Sequence, residues 1–108
     1  MALLRVGPLP DSALAASAEF HARVLPLIDL PRDGEPFLLL VFLPADHTHR
    51  AWRLAAVQGL AREHAPIRVN GVASDDEAAI VAALDYLAHA PGVTGQYWPL
   101  DAQGAKCA

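Results

Sequence analysis

The spacing of apolar positions changes along the chain, and each change marks an element. Residues 2–6 form a short apolar run that stops at Gly7-Pro8, the pattern of a strand entering a loop. Asp11 or Ser12 then stands where a helix needs a side-chain oxygen to accept its first N–H groups. From there to Ile28 the apolar residues fall on two stripes. One holds Leu14, Ala18, Leu25 and Ile28; the other holds Ala13, Phe20, Val24 and Leu27. A helix apolar on two sides packs against two neighbours. Pro26 is expected to kink or end it, because its ring lacks an N–H. Pro31-Arg32-Asp33-Gly34 reads as a turn.

Residues 37–43 are apolar without a break, as in a strand buried on both faces of a parallel sheet. Asp46 is the expected cap of a second helix reaching His64. Its stripe of Leu54, Val57, Leu60 and Ala61 suits a sheet face. A second stripe of Trp52, Ala55, Ala56 and Gly59 is mostly small and invites another helix to approach. Residues 67–73 read as a third strand. Ser74-Asp75-Asp76-Glu77 has the form of a capping box, a Ser followed three residues later by a Glu. Ile80, Leu84 and Leu87 line the helix that follows, which stops near Pro91-Gly92. Residues 96–100 close the pattern as a short strand. The order β-α-β-α-β-α-β predicts an α/β fold: one domain over residues 1–108, with four mostly parallel strands and flanking helices.

Composition narrows the function. With 54% apolar residues the 108-residue chain has ample material for a core, which excludes general disorder. The net charge is −4 and the basic residues are scattered, so no nucleic-acid surface is expected. No apolar run is long enough for a membrane span. The start lacks the charged-then-apolar build of a secretory leader. The single cysteine, Cys107, stands in the tail. The expectation is a soluble cytoplasmic domain.

The chemical candidates read as structural. Asp46 and Arg50 fit a helix cap and a solvent ion pair worth a few tenths of a kcal/mol. His47 and His49 are two apart, so on a helix they point to different sides. Metal-ligand pairs prefer a spacing of four, and no metal site is expected. His21 and His89 each stand alone on a helix.

Two motifs carry a family resemblance. Ile67-Arg68-Val69-Asn70, with Val72 and Ala73, resembles the I-R-V-N-x-V strand of the short-chain dehydrogenase/reductase family. Val93-Thr94-Gly95-Gln96, with Pro99, Leu100 and Asp101, resembles its late V-T-G-Q strand. Ala61-Arg62-Glu63 is similar to the helix end before the first motif. Leu25-Pro26-x-Ile28 with Gly34 is similar to the stretch before the family's catalytic serine. The resemblance implies a truncated, Rossmann-like half of that fold, with its strands in chain order. It also implies what is missing. No Gly-rich turn of the kind that meets a pyrophosphate is present. The family's Tyr and the Lys four residues on fall at Asp46 and Arg50, and its serine falls near Pro44.

No catalytic, cofactor-binding or metal-ligating residue is therefore assigned. The expected role is a catalytically inactive assembly, structural or regulatory subunit, as a homodimer or beside a full-length dehydrogenase. The expected interface is Phe20, Val24, Leu27, Trp52, Ala55, Ala56 and Gly59, on the helices that pair subunits in the family. The alternatives are a minimal NAD(P)-dependent reductase completed by a partner, and a small-molecule binding module using the pocket at the strand ends.

Overall fold

A computed structural model describes residues 2–28 and 37–100. The turn expected at residues 31–34 lies outside them, as does Cys107. Four strands form one sheet: β1 (Ala2–Arg5), β2 (Phe37–Phe42), β3 (Arg68–Ala73) and β4 (Tyr97–Pro99). They lie in chain order and every pairing is parallel. This is the α/β, Rossmann-like arrangement that the pattern predicts.

All six residues of β2 are buried, because each face of the strand meets a different core. Leu38, Leu40 and Phe42 pack with Phe20, Val24, Val57 and Leu60. Phe37, Leu39 and Val41 pack with Val72, Ile80 and Leu87. The helices α1 (Ala13–Glu19) and α2 (Arg50–Glu63) thus belong to one face, and α3 (Glu77–Ala88) to the other. The strands are added in one direction throughout, so the crossover through α3 has the opposite hand to the first two. Crossovers of one hand are the strong rule in parallel sheets, which makes this last connection the unusual one.

Three local expectations need correction. The first helix does not run evenly to Ile28. Ser12 caps it by accepting from the Ala15 N–H, but after Glu19 the backbone widens into a π-turn (Phe20–Val24). It then tightens into a 3-10 turn (Leu25–Leu27) around Pro26. Phe20 and Val24, four residues apart, are both buried, while Leu14 and Leu27 are left 86% and 72% exposed. The capping box does not close either. Asp76 holds the cap position, and Ser74 Oγ accepts from the Asp76 N–H. Ser74 still belongs to the sheet, since its own N–H donates to the Phe42 carbonyl, so the helix begins later. Glu77 reaches Arg5 instead of turning back to a cap.

Asp46 caps a 3-10 turn (His47–His49) that leads into α2. The expected stripe of α2 holds: Val57 and Leu60 are core, with Leu54 and Ala61 packed against it. The helix sits close to the sheet because β3 carries Gly71 there. A Cβ at Gly71 would meet Val57 Cγ2 at 2.9 Å and the rings of Phe42 and Tyr97 at 3.4 Å. Gly71→Ala should therefore destabilise the domain by about 1–3 kcal/mol through overpacking. A lowered urea midpoint at unchanged slope would show it; a midpoint equal to the wild type would mean that α2 yields at no cost.

Candidate functional site

The two family-like motifs hold each other. The Val69 N–H donates to Thr94 Oγ1 (3.1 Å). Asn70 Nδ2 donates to the Val93 carbonyl (3.0 Å), and the Gln96 N–H donates to Asn70 Oδ1 (3.0 Å). The Gly95 N–H donates to the Val69 carbonyl (2.7 Å), with Gly95 at φ +72°. That left-handed backbone favours glycine. Arg68 adds a staple from the same strand. Its Nη1 donates to the carbonyls of Leu87 (3.1 Å) and Ala90 (2.7 Å) at the end of α3, and its guanidinium lies over the Phe37 ring. The motif residues Arg68, Asn70, Thr94 and Gly95 thus do structural work, tying β3 to the connection that leads into β4.

In an open parallel α/β sheet, ligands bind outside the carboxyl ends of the strands. Here that region is a cleft of about 300 Å³ between the ends of β1 and β2. Gly7, Pro8, Asp11, Pro44, Asp46, His49 and Arg53 are among its walls. Asp46 and Asp11 are exposed at this cleft. The Thr48 hydroxyl, followed by the Thr48 N–H, hydrogen-bonds to the Asp46 carboxylate and holds its pKa below the ordinary value. The expected Asp46–Arg50 ion pair is not formed among the described residues, because the carboxylate turns to the cap.

His49 and Arg53 are the residues that reading the sequence missed as parts of one site. His49 is 5% exposed. Trp52 Nε1 donates to its Nδ1 (3.1 Å), and the indole nitrogen is only ever a donor. Nδ1 is therefore the acceptor and Nε2 carries the hydrogen, which it donates to the Asp11 carbonyl (2.9 Å). The ring bridges the loop after β1 to the start of α2.

Arg53 is 4% exposed. Helical side chains lean toward the helix N-terminus, so from the first turn of α2 it reaches back to the end of β2. Nη1 donates to the Leu43 carbonyl and to Tyr97 Oη, both at 3.0 Å. The guanidinium carbon lies 4.7 Å from the centre of the Phe42 ring, whose negative face favours a cation. Nε is buried and has no partner, and among the described residues no carboxylate pairs with Arg53. Burying a cation without an anion is costly, on the order of several kcal/mol. The sequence does carry a signal for this: Arg53 lies four and seven residues before Val57 and Leu60, on the apolar stripe itself.

The expected interface set divides. Phe20 and Val24 are buried inside the chain, and Ala56 is 9% exposed. Trp52 is half-buried, tilted against Phe20 and edge-on to Phe42. Ala55 is exposed, Leu27 is strongly so, and Gly59 is half-exposed. Ala55 and Gly59 line a shallow groove with His21, Leu25 and Glu63, and a Cβ added at Gly59 would meet nothing within 4 Å. No cluster of three potential metal ligands exists among the described residues, and no described helix is long and apolar enough to cross a membrane.

No curated protein and no solved structure is significantly similar to the chain. The family model of short chain dehydrogenase-like proteins matches residues 4–100, from the first strand to the end of the last. With that match over most of its length, and with the two motifs interlocked as described, the chain belongs to the short-chain dehydrogenase-like family.

Proposed function

We propose that the protein is a non-catalytic member of this family that works in the cytoplasm as an assembly or regulatory subunit. It pairs with a second copy of itself or with a full-length dehydrogenase. The observation that carries the first half is Asp46. It stands where the family's proton-transferring Tyr is expected, yet it is a helix cap whose carboxyl is held ionised by Thr48. An acid with a lowered pKa is a poor proton donor near neutrality. Arg50 follows where the lysine is expected, and Pro44 stands near the serine position. Of the two tyrosines, Tyr97 is committed to Arg53, and Tyr86 lies on α3, away from the cleft.

The groove beside Ala55 and Gly59 supports the second half. A glycine inside a helix is about 1 kcal/mol less favourable than alanine, and nothing among the described residues requires one at residue 59. Contact with another helix gives it a reason, with Leu27 at the margin. The edge strand β1 offers a second pairing surface.

Gly59→Glu should separate the complex, read by sedimentation velocity at micromolar concentration, with an unchanged circular dichroism spectrum. A wild type that is monomeric and captures no dehydrogenase of its host would remove the assembly role. Calorimetry with NADH and NADPH should show no binding. A micromolar affinity would instead favour the partner-completed reductase.

A further inference from the structure

We propose that the cleft at the ends of β1 and β2 is a binding site for a small monocarboxylate, held by the unpartnered edge of the Arg53 guanidinium. This reaches beyond the assembly role and uses a different face of the molecule.

The guanidinium has five N–H groups on three nitrogens. Both hydrogens of Nη1 are used, one on the Leu43 carbonyl and one on Tyr97 Oη. Those bonds and the Phe42 ring fix the plane of the group. What remains is the side formed by Nε–H and Nη2–H, two parallel donors spaced to meet the two oxygens of one carboxylate. Nε is buried with no partner, and Arg53 forms part of the cleft wall. A cation buried in this way, with one edge fully bonded and the other empty-handed, is the arrangement that an anionic ligand completes.

The rest of the lining selects the class. Arg53 is the one basic side chain among the arginines and lysines of the cleft wall, and Asp11 and Asp46 stand exposed beside it. Neither aspartate serves as the missing anion: Asp46 is turned to Thr48, and no pairing of Asp11 with Arg53 occurs. Two exposed carboxylates on the same cleft wall oppose each added negative charge, so they penalise a dianion or a pyrophosphate more than a ligand with one charge. His49 is occupied at both nitrogens, so it adds a wall and no charge-seeking group. Pro8, Leu9, Leu43 and Pro44 give the cleft apolar sides for the remainder of the ligand. A volume of about 300 Å³ suits a molecule of benzoate size.

The test uses the full-length wild type, labelled with 15N, in which the Arg53 Nε–H resonance is followed during titration with sodium acetate, sodium benzoate and inorganic phosphate. Sodium chloride at matched ionic strength is the control. Saturable movement of the Arg53 Nε–H signal with acetate and benzoate is expected, with a Kd of about 1 mM or tighter for benzoate. Phosphate should bind at least about tenfold more weakly, and chloride should leave the signal in place. Arg53→Lys, which keeps the charge and loses the fork, should weaken benzoate binding by about tenfold or more. An Nε–H signal that does not move with either carboxylate overturns the site, whether or not the lysine variant folds. Phosphate binding as tight as benzoate overturns the monocarboxylate class, and undiminished binding by a folded lysine variant overturns the fork.

Discussion

Replacing Phe42 with alanine should lower stability by about 3–5 kcal/mol, the cost of truncating a fully buried aromatic side chain. The residue is the last of β2 and is 0% exposed. Its ring lies between Phe20, Trp52 and Tyr97, with centroids 5.7, 5.8 and 5.9 Å away, edge-on to the last two. The alanine variant opens a cavity among three aromatic residues and also strips the π face from the Arg53 guanidinium. A buried cation then loses the chief group that favours its charge. A domain of this size commonly has only about 5–15 kcal/mol of stability in total. At about 4–8 °C per kcal/mol for a small domain, the melting temperature should fall by roughly 12–40 °C. Calorimetric melting of the two proteins checks it. A loss of only a few degrees would mean that the aromatic cluster collapses around the gap and that Arg53 does not depend on the ring.

Asn70→Asp is the second large effect, and it depends on pH. Asn70 is completely buried and uses both ends of its amide, donating to Val93 and accepting from Gln96. An ionised aspartate keeps the acceptor but sets a negative oxygen against the Val93 carbonyl. Arg68, two residues back on the same face of β3, is already committed to the Leu87 and Ala90 carbonyls. The deficit at neutral pH should be about 3 kcal/mol or more. When protonated, the new side chain regains a donor for Val93. Burial raises the folded-state pKa of such a carboxyl above its unfolded value. The folded variant therefore takes up its proton at higher pH than the unfolded chain does. The deficit should then be smallest below the unfolded pKa, about 4, and grow as the pH rises through the raised folded value. Urea unfolding at a series of pH values reads this directly. A deficit that is constant with pH would show that the loss is one of shape and not of charge. The same variant probes the family motif, because Asn70 is the residue at which the two family-like motifs meet.

The two-sided burial of β2 and the sheet-facing side of α2 were legible from period alone, and the strand order from the family-like motifs. An unbroken run such as residues 37–43 has no polar face to expose, so it must be covered twice. The stripe Leu54, Val57, Leu60 and Ala61 has one face to bury and finds the sheet. Local polar signals misled where tertiary bonds outcompeted them. Ser74 has a capping partner in sequence at Glu77, yet the β2 carbonyl at Phe42 takes its N–H and delays the helix. Phe20 and Val24 share one side of the helix, as their spacing implies, but that side is covered by the chain's own sheet and Trp52 and not by a partner subunit. Apolar spacing shows which residues share a side and not which neighbour covers it. At the cleft, His49 and Arg53 were hidden by their residue type. A histidine in a first turn and an arginine on a helix are usually solvated. Their burial depends on Trp52, Tyr97 and two backbone carbonyls that come together only when the sheet forms.

The sheet order has a consequence for how the chain is made. Each strand pairs with the next one in sequence, and β4 closes onto β3 without passing over an earlier strand. During synthesis, N-terminal segments emerge first and fold as units once their partners arrive. The bonds between β1 and β2 need nothing downstream, and each later unit adds to an edge that already exists. β4 is made after the other three strands and carries Tyr97, whose hydroxyl accepts from Arg53. Until then the guanidinium has the Leu43 carbonyl and the Phe42 and Trp52 rings to hold it. The cleft thus acquires its final shape only once residue 97 has been made, and a chain released before it would carry the earlier strands without the fully fixed arginine.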